Sequence, residues 1–288
     1  MKKALIVFVL IILVAGAILI LSVNNRPDTV NVSATTASET SGTSAQTVVK
    51  TAAVTSGGSR VEHQTGSPEN EVYTDEQLSK MIAFTFDDGP IAKFTNRVLD
   101  AMEPYGYTAT FFVIGRNIDE EGSKAMRRAV KMGCEIGNHT ENHNLKFDSL
   151  EIQTRTAEIE ESSAKIEKAA GVKPLLLRPP GGVCKNIRGN IDSPIILWSV
   201  DTNDWRKKAN AGNEQAAQEL AQYIMDEVKG KPGSIVLMHD VYQFSAETVE
   251  KVMPMLHEEG YIVKSVSSLA KAYGTALENG TVYRTIKR

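Results

Sequence analysis

The chain lacks an excess of charge of either sign. Its 32 Lys and Arg residues face 35 Asp and Glu, for a formal net charge of −3. Nucleic-acid binders concentrate surplus Lys and Arg on one face, so this balance gives no reason to expect a polyanion partner. Cysteine is nearly absent, with two in 288 residues. Large apolar side chains are missing from most of the stretch between residues 24 and 70, although hydrophobic residues make up 42% of the whole. A segment so poor in apolar surface cannot offset its own chain entropy. Length alone would suggest about two domains, but setting residues 1–70 aside leaves 218 for a core. That is one α/β domain.

What the middle lacks, the N-terminus has in surplus. After Met1-Lys2-Lys3, residues 4–21 are 18 consecutive apolar or glycine positions. A helix through residue 23 spans about 30 Å, the thickness of a bilayer core. The two lysines orient the N-terminus toward the cytoplasm and the rest of the chain outside. A cleaved signal peptide has an apolar core of about 7–15 residues; here the run continues past the small residues at 15–17, so an uncleaved anchor over 1–23 is the expectation. Export follows from either reading. From 29 to 67, 16 of 39 residues are Ser or Thr, without an aromatic. This composition predicts a disordered linker over 24–74 and a folded domain over 75–288.

In the folded part, short β-rich runs alternate with helical periods. Strands are predicted at 81–86, 109–114, 135–137, 175–177, 195–200, 234–238 and 261–265. Helices are predicted at 94–102, 123–132, 150–170, 213–229 and 246–259. Ile152, Ile159 and Ile166 form the expected buried stripe of the longest helix. Gly133, Gly171, Gly230 and Gly260 stand where left-handed C-terminal caps place glycine. Such alternation means a parallel sheet, and seven strands suggest a barrel.

Polar residues break this pattern at the carboxyl ends of five strands: Thr85-Phe86-Asp87-Asp88-Gly89-Pro90, Asn138-His139-Thr140-Glu141-Asn142-His143, Arg178-Pro179-Pro180-Gly181-Gly182, Asp201-Thr202-Asn203-Asp204-Trp205 and His239-Asp240. In parallel α/β folds those ends share one face, which holds the active site. His139 and His143, four apart, plus one carboxylate suit an open site for a transition metal. The zincin pattern is rejected, because Thr140 and not Glu follows the first histidine. Of the adjacent Asp87 and Asp88, one is free to ligate metal while its neighbour acts as a base.

These clusters, with Leu237-Met238-His239-Asp240 as the fifth, resemble the five ordered motifs of the polysaccharide deacetylase family, the NodB-homology domain or carbohydrate esterase family 4. The resemblance runs from about residue 80 to 268. It implies a distorted (β/α)7 barrel and metal-dependent hydrolysis of N-acetyl groups on amino sugars. By the same resemblance Asp88, His139 and His143 hold a divalent metal, with Zn2+ the first choice and Co2+, Ni2+ or Fe2+ the alternatives. Asp87 is the base, with Arg178 paired to it. His239 is the acid, with Asp204 keeping it protonated, and Trp205 and Leu237 wall an acetyl slot. Where many members carry an aromatic residue, this chain has Gly181, whose N–H remains to bind the oxyanion.

Topology and the family likeness point to peptidoglycan N-acetylglucosamine as substrate, with the N-terminal helix in the cell membrane; a monomer is assumed, since the sequence does not give the oligomeric state. Chitin oligomers, other N-acetylglucosamine polymers and O-acetylated xylan are the alternatives within the enzyme class. A silent glycan-binding module or a glycosidase using Asp87 and Asp204 are the alternatives outside it. Cys134 opens its strand and Cys184 follows the third cluster, so their Cα atoms are expected beyond the ~7 Å disulfide limit, leaving both thiols free. His63 and His257 are expected to have no catalytic role. The sequon at 138–140 is read as accidental, because a glycan there blocks the metal site.

Overall fold

A computed structural model describes residues 72–287. The expected anchor, the linker up to residue 71 and His63 lie outside the described residues. Among the described residues, no helix is long and apolar enough to cross a membrane.

The chain enters through α1 (Asp75–Ser79), whose start is fixed by a capping box between Thr74 and Gln77. Strands and helices then alternate: β1 (Met81–Asp87), α2 (Ala92–Met102), β2 (Thr110–Val113), α3 (Glu120–Lys131), β3 (Glu135–Asn138) and α4 (Ile152–Ala170). After a long loop come β4 (Ile195–Ile196), β5 (Val200–Asp201), α5 (Glu214–Val228), β6 (Ile235–His239), α6 (Gln243–Glu258), β7 (Ile262–Lys264), α7 (Val266–Tyr273) and β8 (Val282–Tyr283). Helix starts follow local chemistry. The Asp119, Asn213 and Ser265 side chains each accept a backbone N–H at the head of α3, α5 and α7. Gly133, Gly171, Gly230 and Gly260 all have positive φ, as the capping pattern requires.

The strands are parallel in the order β3-β2-β1-β6-β5, with β7 paired to the first half of β1. Single parallel bridges carry the pairing from Asn138 to Leu177 and from Leu177 to Ile195. The chain from β4 runs on into β5, which pairs with β6, so the strands curl into a distorted barrel. Two expectations change here. The strand predicted at 175–177 shrinks to the one bridging residue Leu177, while Leu175 is 66% exposed. The strand predicted at 195–200 breaks into β4 and β5, because its first half pairs with Leu177 and β8 and its second half with β6.

Alternation along β1 sorts its side chains. Ile82, Phe84 and Phe86 pack outward with Val98, Leu99 and Val249 of the helical layer. Met81 and Ala83 share a second cluster with Phe112, Ile196 and Ile235. Each fully buried Phe contributes about 1.5–3 kcal/mol by leaving water. The stripe expected on α4 is also revised. Ile152, in the first turn, is 63% exposed; the buried side is Arg155, Ser162, Ile166, Ala169 and Ala170. Small residues let α4 lie close to β3, where Asn138 Nδ2 donates to Ile159 O and Ser163 Oγ. That amide is buried and engaged, in keeping with an accidental sequon. Cys134 and Cys184 are free and buried in different clusters.

Candidate active site

β1 and β6 set the frame. Their register places Thr85 beside Leu237 and Asp87 beside His239. Register partners on adjacent strands point to the same face, so Asp87 and His239 project together at the carboxyl end. Leu237, two residues below His239, is buried. The β3 end adds His139, and Arg178 follows Leu177 on the next wall.

Three candidate ligands converge. Asp88 Oδ1 lies 3.5 Å from His139 Nε2 and 3.4 Å from His143 Nε2, and the three donor atoms fall within 4.8 Å of one another. His139 Nδ1 is 2.6 Å from the Arg178 carbonyl oxygen. That carbonyl can only accept, so Nδ1 carries the proton and Nε2 offers its lone pair. Burial and the neighbouring His139 charge push the His143 imidazole below its ordinary value, toward the neutral form that ligates metal. Burial by itself would raise the Asp88 carboxyl, but the imidazoles around it, His139 first and then His239 and His143, outweigh burial and bring it down to about 2. Asp88 Oδ1 is nonetheless buried without a hydrogen-bond partner. Two imidazole nitrogens and one orphaned carboxylate oxygen are a donor set that a divalent transition metal satisfies.

Backbone shape delivers these ligands. Asp88, Thr140 and His143 all have positive φ, at 73°, 65° and 50°. Non-glycine residues in that region carry strain that persists where the surroundings over-determine it. Here Asn117 Nδ2 donates to Asp88 O at 2.8 Å, and Thr140 N donates to Asn138 Oδ1 at 2.7 Å.

Arg178 is fully buried, and the Asp87 carboxylate is its counter-charge. Nη1 donates to Asp87 Oδ1 at 2.7 Å and to Thr85 Oγ1 at 2.8 Å, while Nε and Nη2 donate to the Ile196 and Leu197 carbonyls. With Oδ1 occupied, Asp87 Oδ2 stands 3.7 Å from His139 Nε2, on the ligand side. Across the mouth, His239 Nδ1 lies 2.8 Å from Asp204 Oδ1. Asp204 also accepts from the backbone N–H groups of His239 and Trp205 and from Ser245 Oγ. Burial lowers the His239 pKa, but Asp204, with Asp87 and Asp88, outweighs it and raises the imidazole to about 9.

Gly181 sits on the rim with φ of 63°. A Cβ there would stand 3.6 Å from Leu145, so an exposed leucine of the histidine loop flanks the position. Trp205 is 42% exposed at the mouth. His257 packs against Tyr105 and Tyr107, away from the site. Sequence reasoning missed Thr95 and Ser245, which have no polar signature in a helix, and left Asp240 unassigned. Ile91 N donates to Thr95 Oγ1 and Thr95 Oγ1 donates to Asp240 Oδ2, tying down the turn after Asp88. A Cβ on Gly89 would collide with the Asp240 carboxylate, so only glycine fits there. Burial raises Asp240 to about 7. Size does not mark the site: a cavity of about 600 Å³ lies among Leu78, Ser199, Pro232 and Tyr273, with no histidine.

Known proteins are similar to this chain in sequence and in fold. The polysaccharide deacetylase family profile matches residues 74–191. Peptidoglycan-N-acetylmuramic acid deacetylase PdaC of Bacillus subtilis is 34% identical over 205 residues, covering 70% of this chain and 41% of that protein. A peptidoglycan-N-acetylglucosamine deacetylase of Bacillus cereus is 33% identical over 201 residues, covering 67% and 89%. The chain spans less than half the length of the first curated relatives it matches. A solved structure described as T48 deacetylase with substrate is 36% identical with a TM-score of 0.64, covering 73% of this chain and 100% of its own. A family 4 acetyl xylan esterase from Clostridium thermocellum, solved with a cobalt ion, is 28% identical with a TM-score of 0.65, covering 72% and 99%. With a B. cereus relative matched over 89% of its length, the chain belongs to the polysaccharide deacetylase family.

Proposed function

We propose that the chain hydrolyses N-acetyl groups from peptidoglycan N-acetylglucosamine, outside the cytoplasmic membrane, using a divalent metal. The observation that carries this reading is the meeting of Asp88, His139 and His143 beside Asp87, with the His239–Asp204 pair across the same mouth. A glycan-binding module would need none of these groups in register. Asp88, His139 and His143 would hold the cation, with Zn2+ the first choice by donor set. Bound there, it would polarise the acetyl carbonyl and acidify water.

The chain's own groups do the rest. Water adds to the acetyl carbon as Asp87 Oδ2 takes its proton, while Arg178 fixes the other carboxylate oxygen. His239 Nε2–H then protonates the sugar nitrogen as the C–N bond breaks, giving acetate and a free amine. Asp204 holds Nδ1 and keeps the imidazole charged for that step. The Gly181 N–H and the apolar Trp205 and Leu237 would serve the oxyanion and the acetyl methyl. An N-terminal anchor and linker would hold this site near a wall polymer.

The test is acetate release by the full-length chain, with and without chelator, on peptidoglycan strands, chitin oligomers and acetylated xylan. Chelator-sensitive release from the N-acetylglucosamine of peptidoglycan is expected. Chain cleavage without acetate release on any of them sinks the reading.

A further inference from the structure

Three consecutive cations, Arg206, Lys207 and Lys208, follow Asp204 and Trp205 in the seven-residue 3-10 helical segment Asp204–Asn210. Each rests on its own aromatic ring: Arg206 is 4.7 Å from the centre of Trp205, Lys207 5.7 Å from Tyr223 and Lys208 5.5 Å from Tyr242. No carboxylate pairs with any of the three among the described residues. Some other surface cations do find one, such as Arg97 with Glu250 and Lys251 with Glu214, and many do not; what sets these three apart is that they are consecutive and follow the carboxylate that holds His239. The nearby Glu247 is already taken by Gly212 N and Gln243. Adjacent like charges repel, so this run costs stability unless an anion arrives.

The place matters as much as the charge. The Tyr242 ring under Lys208 lies 6.0 Å from the His239 ring. Trp205 adjoins the carboxylate that holds His239. Lys208, over the ring next to His239, is thus placed to meet a substituent beyond the reacting amide. Neutral N-acetylglucosamine oligomers and xylan backbones offer no charge to such a site. A glycan with a carboxylate on a sugar ether or on an attached peptide does.

We propose that Arg206, Lys207 and Lys208 form an anion-binding subsite that selects a carboxylate-bearing glycan next to the acetylated ring. This rests on the deacetylase reading above and sharpens its substrate class. The rings hold the cations in place at low entropic cost and leave their outer sides to the ligand.

The experiment compares kcat/KM of the full-length chain on four substrates: peptidoglycan strands stripped of peptides, strands with peptides, strands whose carboxylates have been amidated, and neutral N-acetylglucosamine oligomers. Acidic strands are expected to exceed their amidated form by about tenfold at low salt, the sum of three exposed ion pairs. The difference should sit in KM and shrink as salt rises. In the R206Q/K207Q/K208Q triple variant the acidic-to-amidated ratio should fall toward one. Preference for peptide-free or for peptide-bearing strands assigns the carboxylate to the sugar or to the peptide, and either supports the subsite. Acetate release with a ratio indifferent to amidation, salt and the triple substitution overturns the subsite and leaves the deacetylase standing. Binding of an Asp87→Asn variant to the same strands reads the subsite without turnover. If that binding is salt-sensitive and lost with the three cations while no glycan yields acetate, the catalytic reading fails and the subsite survives. Salt-insensitive binding overturns it.

Discussion

The two halves of the active site are built in opposite ways. On the ligand side, Asp88 and His143 hang on left-handed backbone, and a buried Asp88 oxygen is left without a partner. On the acid side, His239 ends an ordinary strand and the Asp204 carboxylate accepts four hydrogen bonds. The first half is strained and incomplete; the second is assembled and satisfied. On the proposed mechanism the lesson is that the acid is preorganised by protein alone, whereas the ligand half would be completed by a cation.

The hardest test of that contrast is metal removal. Chelation should drop acetate release to background and lower the melting temperature, because a ligand that binds only the folded state stabilises it. Adding back Zn2+ or Co2+ should restore both. Calorimetry showing no change in melting temperature on chelation would mean that the orphaned oxygen is satisfied without an ion. Next in size, Asp87→Asn should cost about 10²–10⁴ in kcat, the usual contribution of a general base. Its metal content should match that of the parent by elemental analysis; loss of metal would exchange the roles of the paired aspartates.

The acid half is read by pH. As the proposed acid, His239 must be protonated to act, so kcat/KM should fall as pH rises through about 9. A bound cation lowers that limb further, and Asp204→Asn, by removing the largest opposing charge, should move it to lower pH. An unmoved limb would detach Asp204 from the acid. The same shift contributes stability that is full below the unfolded value near 6.5 and lost as pH rises through about 9. The smallest effect belongs to the support beneath both halves. Thr95→Val strips a bond from buried Asp240 and should cost about 1–3 kcal/mol in urea unfolding. Thr95→Ser, which keeps the hydroxyl, should recover most of it.

Much of the site was legible because its chemistry is written in short runs. The Asp87-Asp88 pair, the His139/His143 spacing and the five clusters at strand ends are local patterns, and the strands before them announce where they end. The five longer helices, and the glycines that follow four of them, were equally readable, since capping is decided within a few residues, whereas the short α1 and α7 were not predicted. The single-residue bridge at Leu177 and the break between β4 and β5 were not, because pairing there is set by neighbours far along the chain. The stripe on α4 misled for the same reason. Periodicity marks a face without saying how far the sheet extends beneath it, and Ile152 overhangs the end.

By itself, then, the sequence determined which groups are present, the order in which they occur and the end of the strands from which they project. Those properties follow from side-chain chemistry and local periodicity. Only tertiary structure decided the register that puts Asp87 beside His239, the tautomer of His139 held by the Arg178 carbonyl, and the closure of Thr95 on Asp240. Each joins residues dozens to more than a hundred positions apart, where distance and burial, and not neighbouring sequence, determine the energy. The even balance of charge belongs to the same account. It conceals both a buried carboxylate–guanidinium pair and a run of three cations, each laid on an aromatic ring, and only the packing distinguishes one use of charge from the other.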